Sequence, residues 1–385
     1  MSKVPMLFQS FNLRGVEARN RVVISPMCQY SAHEGHLDDW HLVNLGRFAV
    51  GGAGIIFTEA TAVEKRGRIT HGCPGLWTDS QIPGHARITQ FLLREGAIPA
   101  IQLGHAGRKA GTQRPWFGNG PLGTDDVARG DMPWTPVGPS AVPVDEGWMV
   151  PHALTIQEIA QLIEDFAAAT RRALAAGYRL IEIHGAHGYL VHSFLSPLSN
   201  HRTDAYGGTL MGRMRLALEV TEAVRAVMPD DVPLSFRTSA VDGIEDGWQI
   251  DDTVSLAREL KARGVDVVDC SSGGIAGPAT AARGAKRQPG FQVPYSERVR
   301  RDAGIPTIAV GLITHPKQAE EILAKGRADL IAIAREALND PMWPLHAAQS
   351  LQHDVDFALW PKQSGWWLAA RAKNSVFYEP GQSGS

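Results

Sequence analysis

Short apolar runs along this chain alternate with longer stretches in which apolar residues return every three or four positions. The runs predict strands over 21–25, 54–58, 97–103, 178–184, 233–238, 265–271, 306–310 and 330–333. The periodic stretches predict helices over 40–50, 81–95, 155–176, 213–228, 251–263, 294–303 and 316–325. Pro26 stops the first strand, and Thr155 followed by Glu158 is a capping-box start for the third helix. Strands separated by helices pair in parallel, so this alternation predicts an α/β chain, a single (β/α)8 TIM barrel. A doubly wound nucleotide-binding sheet fits less well, since no Gly-x-Gly-x-x-Gly opens a helix after the first strand. Residues 7–20 read as an N-terminal hairpin plugging the barrel bottom. A long Gly/Pro-rich insertion at 111–150 and a loop at 273–290 are the expected pocket walls. The barrel is assigned to 1–345 and a C-terminal tail to 346–385, with a Gly/Ser-rich end at 381–385.

Composition narrows the partners. The 385 residues carry a formal charge of -2 and no basic run, which argues against nucleic acid. No apolar run approaches membrane-spanning length, and the first residues lack signal-peptide form. Cys28, Cys73 and Cys270 are odd in number and far apart, so a reducing cytoplasm suits them better than a disulfide framework.

The chemistry concentrates at 180–189, Leu-Ile-Glu-Ile-His-Gly-Ala-His-Gly-Tyr. A strand breaks there at Gly185 and Gly188, crowding His184, His187 and Tyr189 at one strand end. Two imidazole donors beside a weakly acidic phenol suit a substrate whose oxygen gains negative charge while a neighbouring carbon takes a proton. A lone strand-end histidine is more often structural, so the other strand ends decide. They read Ser25-Pro26-Met27-Cys28, Glu59-Ala60, Gln102, His184, Arg237, Ser271-Ser272, Gly311 and Ala334-Arg335. Gln102 and backbone groups near Met27 and Ala60 could serve the edge of a flavin ring, and Arg237 its negative charge on reduction. Gly311 and Ala334-Arg335 follow strands seven and eight, where barrels bind phosphate. Arg237 could instead, or as well, pair with Glu182 inside the barrel.

Ser25-Pro26-Met27-Cys28-Gln29-Tyr30, Glu59-Ala60-Thr61-Ala62-Val63, the run from Gln102 to Lys109, the run from His184 to Tyr189 and the run from Ser196 to Gly208 resemble the Old Yellow Enzyme family. The resemblance spans about 7–341, and Cys28 with Tyr30 resembles its thermophilic-like, xenobiotic-reductase subclass. It implies tightly but non-covalently bound FMN, reduced by NADPH or NADH, and then reduction of activated C=C bonds in enones, enals, maleimides or nitroalkenes. By that resemblance Pro26, Met27 and Ala60 meet the flavin through backbone atoms, and Ser25 lies beside them. Cys28 and Gln102 meet it through side chains, Arg237 lies by the pyrimidine ring, and Gly311, Ala334 and Arg335 hold the phosphate. His184 and His187 bind the activating oxygen, Tyr189 protonates the α-carbon, and Tyr30 shapes the pocket. The subclass forms homodimers or homotetramers in which the tail reaches a neighbour's site, which makes Trp367 a substrate-pocket residue, with Trp366 and Arg371 beside it.

Two positions depart from the family pattern. Ala334 replaces the usual Gly before the phosphate Arg, and Met211-Gly212 replaces a pair that includes Asn, which leaves the start of the next helix short of a cap. Three other readings compete for the same residues. Glu182, His184 and His187 could form a metal hydrolase site, although Arg237 would repel a cation. A flavin-binding module without turnover is the second. The third, a dienoyl-CoA-type reductase, needs an iron–sulfur cluster that three scattered cysteines cannot build.

Overall fold

The computed structural model describes residues 4–277 and 287–374. Eight parallel strands close into a barrel in the order β6-β7-β8-β1-β2-β3-β4-β5. They are β1 (Val22–Ile24), β2 (Ile55–Ala62), β3 (Ile98–Gly104), β4 (Leu180–Gly185), β5 (Leu234–Ser239), β6 (Val267–Ser271), β7 (Thr307–Ala309) and β8 (Leu330–Ile333). The helices between them are α1 (Asp39–Val50), α2 (Ile82–Arg94), α3 (Ile156–Ala175), α4 (Leu210–Ala226), α5 (Ile250–Ala262), α6 (Val293–Ala303) and α7 (Pro316–Ala324). Every predicted strand and helix is present, with ends displaced by a few residues.

Strand alternation sorts the side chains into two cores. Leu180, Ala100 and Val267 point inward and pack with Val23, Phe57 and Ile308. Ile181, Ile183, Phe236 and Val268 point outward against Phe166, Leu216 and Val224 of the helices. With a period of two, Gln102, Glu182, His184, Ser235, Arg237, Asp269 and Ser271 therefore all belong to the inner face. The hairpin Phe11–Leu13 and Val16–Ala18 closes the bottom, with Leu13 and Ala18 joining the inner core. Burying these side chains and leaving the other end open directs any ligand to the C-terminal strand ends.

Three details differ from the sequence expectations. Strand β2 runs on to Ala62 through a register shift between Thr58 and Thr61, and this bulge re-aims Ala60. The expected shortfall of a cap at α4 is made good: the Thr209 hydroxyl, two positions before the replaced pair, accepts the Gly212 N–H at 3.1 Å. The assigned boundary at 345/346 falls inside a further helix, α8 (Trp343–Ser350), whose Trp343 and Ala347 pack into the barrel's outer core. The chain then continues to α9 (Lys362–Asn374). The capping box at Thr155 forms in both directions: the Glu158 N–H donates to the Thr155 hydroxyl, and the Thr155 N–H donates to the Glu158 carboxylate. No helix among the described residues is long and apolar enough to cross a membrane.

Candidate active site

At the C-terminal strand ends lies a cavity of about 510 Å³, within the ~300–1,000 Å³ range of small-molecule sites. Twelve of the residues proposed from the sequence line it: Pro26, Cys28, Tyr30, Ala60, Gln102, His184, His187, Tyr189, Arg237, Gly311, Ala334 and Arg335. Ser25 and Met27 do not line it with their side chains, a finding that leaves the backbone role expected of Met27 untouched. Their side chains turn the other way, lining a small void behind the strand with His41 and Glu59. Trp367 is also apart, 68% exposed on α9. Sequence reasoning missed Arg287, which joins Arg335 among the lining cations, and Ser271. Ser271 was legible only as a strand end; its role depends on which loop folds over it.

The β4 end builds one wall. The His184 ring stands edge-on to His187 at 5.3 Å and to Tyr189 at 4.9 Å. The Ala186 N–H donates to His184 Nδ1 at 3.3 Å, so the proton of the neutral ring sits on Nε2. His187 adopts a left-handed φ of 61°. Its N–H donates to Ser239 Oγ at 2.9 Å, and its Nε2 lies 2.8 Å from Ser271 Oγ. Burial, and then the Arg237 charge, holds both imidazoles well below the usual histidine range, so both are neutral. Burial pushes the Tyr189 phenol well up, which keeps its O–H protonated.

This loop is fixed from three sides. Gly188 has φ +75°, and a Cβ there would lie 2.1 Å from the Gly274 carbonyl, so only glycine lets the two loops meet. The Gly188 N–H donates to His192 Nδ1 at 2.8 Å, and His192 Nε2 lies 2.9 Å from the buried Asp242 carboxylate. Lys109 donates to the carbonyls of His187 and Gly274 and lies 5.8 Å from the centre of the Tyr189 ring. Burial, then the Arg108 charge, brings its ammonium down to about 7.

Beneath lies a charged layer. Gln102 donates to one oxygen of Glu182 at 2.8 Å and Ser235 donates to the other at 2.7 Å. The expected Arg237–Glu182 pair is not the one found: the Arg237 Nε lies 3.4 Å from Asp269, its register partner on β6. That Nε is buried without a hydrogen-bond partner, as a site built to meet a further group requires. With both Glu182 oxygens engaged, the carboxylate needed for the metal-site rival is committed elsewhere. Among the described residues no three His, Cys, Asp or Glu side chains are grouped to hold a metal.

Cys28 faces the cavity with a neighbour the sequence did not announce. It shares a side-chain hydrogen bond with Cys73, which, together with burial, pushes the Cys28 thiol well up. Burial opposes ionisation of Cys73, yet hydrogen bonds from Cys28 and Thr70 bring it down to about 7. All three cysteines are free thiols.

These residues fit a flavin nucleotide. The Arg237 guanidinium, paired with Asp269 but with its Nε free of any hydrogen bond, and the Gln102 amide sit on the inner face, the Cys28 thiol at the β1 end, and Arg287 and Arg335 beside the β7 and β8 loops. Gly311, at φ +118°, packs closely there, since a Cβ would come within 3.1 Å of Phe291 and 3.2 Å of Gln292.

Comparison with known proteins agrees. The family model described as NADH:flavin oxidoreductase / NADH oxidase family matches residues 6–354. The chain is 44% identical to the NADPH dehydrogenase of Bacillus licheniformis over 352 residues, 91% of this chain and 96% of that protein. It is 42% identical to that of Geobacillus sp. (strain WCH70) over 363 residues, 94% and 98% of the two chains. Among solved structures, the old yellow enzyme homologue from Zymomonas mobilis superposes with a TM-score of 0.73 at 26% identity, covering 90% of this chain and 93% of that one. Morphinone reductase, at 24% identity and a TM-score of 0.73 over 90% of each chain, shares the fold.

Proposed function

From the premise that this chain belongs to the NADH:flavin oxidoreductase / NADH oxidase family, with FMN as cofactor and NAD(P)H as hydride donor, we propose that it reduces electron-poor C=C bonds such as those of enones, enals, maleimides and nitroalkenes. Bound FMN supplies the hydride, delivered to the β-carbon of the alkene. The protein's own part is to hold the substrate and move a proton. One observation carries the reading: two neutral imidazoles and one protonated phenol face the same cavity, each with a donor to offer.

His184 offers Nε2–H because its Nδ1 is occupied by the Ala186 amide. We assign the Ser271 hydroxyl as the donor to Nε2 of His187, the tautomer in which that ring offers Nδ1–H to the cavity. Two donors then converge on the carbonyl or nitro oxygen, where charge grows as hydride arrives; each is worth about 3 kcal/mol in such a role. The Tyr189 O–H delivers the proton to the α-carbon. A phenol held un-ionised by burial is a donor at any pH the enzyme meets. Gln102, Arg237, Arg287 and Arg335 hold the cofactor, while Tyr30 and the 111–150 segment cover the substrate. The exposed Trp366 and Trp367 of α9 suit a contact with a second copy of the chain in a homodimer or homotetramer.

Anaerobic stopped-flow absorbance separates the two halves of the reaction. Tyr189→Phe is expected to slow re-oxidation of the flavin by maleimide or cyclohexenone about 10²-fold or more, leaving its reduction by NADPH unchanged. Equal losses in both halves would remove Tyr189 from the proton-donor role.

A further inference from the structure

Four neighbouring strands place polar side chains on two adjoining rungs of the barrel's inner face. Gln102 on β3 is in register with Glu182 on β4, Glu182 with Ser235 on β5, and Arg237, two residues further along β5, with Asp269 on β6. All of these side chains are buried in the barrel interior, Glu182 and Ser235 with no exposed surface at all. The charge count does not balance: two carboxyl groups face a single guanidinium. His184, level with Arg237 on the neighbouring strand, and His187 beyond it are neutral and contribute no compensating cation. The hydrogen-bond donors that reach Glu182 are the amide of Gln102 and the hydroxyl of Ser235, and neither carries charge. A second buried negative charge without a partner would cost several kcal/mol, so the site avoids it by keeping a proton.

We propose that Glu182 and Asp269 share one proton and hold one negative charge between them, and that this single charge, acting through Arg237, sets how readily the bound flavin accepts electrons. Each carboxylate neutralises part of the guanidinium that faces the flavin's pyrimidine side, where negative charge collects on reduction. The inference rests on FMN occupying the cavity. Burial, and then the Asp269 charge, pushes Glu182 up to about 8, and burial also raises Asp269, as one shared proton requires. Glu182 and Asp269 are positioning residues, since they act through Gln102 and Arg237.

A shared charge has a signature that two independent charges lack. In either single variant the surviving carboxyl takes over the charge, so nothing is lost until both are gone. Dye-equilibrated reductive titration at pH 7 of the purified flavoprotein is expected to give potentials close to wild type for Glu182→Gln and for Asp269→Asn. The double variant is expected to rise by clearly more than the sum of the two single shifts. Additive shifts, or a double variant with the wild-type potential, would overturn the proposal. Infrared difference spectra against wild type give a readout that needs no flavin. Each single variant should lose one carboxylic acid C=O stretch, because its remaining group is a carboxylate. Persistence of that band in both singles would likewise sink the shared proton. A protein that takes up no FMN while losing the band would instead refute the flavin reading and leave the shared proton standing.

Discussion

Glu182 and His184 are two residues apart on one strand, share its inner face and are both buried, yet they do opposite things. The lower residue has both oxygens occupied by Gln102 and Ser235. The upper one gives only Nδ1 to the protein and turns its other nitrogen toward the cavity. The difference comes from what lies beyond each. Below, the register partners Gln102 and Ser235 supply hydrogen bonds; above, the register partner on β5 is Arg237, a cation with no acceptor to offer, so one ring nitrogen stays open. Polarity alone therefore does not mark a working residue. What marks it is a donor for which the fold supplies no acceptor.

The largest break in this contrast comes from the upper storey. His184→Ala is expected to lower alkene turnover about 10²–10³-fold, with the thermal midpoint within a few degrees of wild type. A collapse of stability with little kinetic loss would place His184 with the packing residues instead. A smaller effect isolates the loop that orients His187. Ser271→Ala frees the imidazole to swap its proton between nitrogens, and turnover is expected to fall about 10-fold. Replacing Ser271 with Thr, which restores the hydroxyl, should recover most of the rate; no recovery would show that packing rather than tautomer is at stake.

The smallest effect sits in the lower storey and is read by pH. Glu182 is held above its ordinary value, so between about 4.5 and 8 the folded chain keeps a proton that the unfolded chain has lost. The folded state binds more protons in that window, so the Glu182 contribution is fully present below about 4.5 and is lost as pH climbs to about 8. Chemical denaturation across this range should show a flatter profile for Glu182→Gln. An unchanged slope would mean that Glu182 is ionised in the fold.

How much of this was written in the sequence follows the same division. Strand and helix periods give the barrel, and strand ends give His184, His187, Tyr189, Gln102 and Arg237, because position along one strand is a local property. Which strand end meets which is not. Arg237 pairs with Asp269 rather than Glu182 because register, set by the closure of the whole barrel, puts those two opposite each other. Ser25 and Met27 line the void behind the strand although they share the parity of the inward-facing Val23, because β1 ends at Ile24 and strand alternation no longer governs the residues around Pro26. The Cys28–Cys73 contact joins two loops distant in sequence. The 111–150 insertion carries only short elements, such as Pro115–Phe117 and Thr124–Ala128, with no period to read.

The meeting of Gly188 with the Gly274 carbonyl has a practical corollary for anyone who wants to widen the range of molecules this pocket takes. Main chain touches main chain there, and the Lys109 ammonium clasps both loops, so that rim of the pocket acts as a keystone that admits no new side chain. Trp116, by contrast, leans edge-on against Tyr30 at 5.9 Å and is 60% open to solvent. Libraries aimed at new scope should leave the keystone alone and diversify that awning.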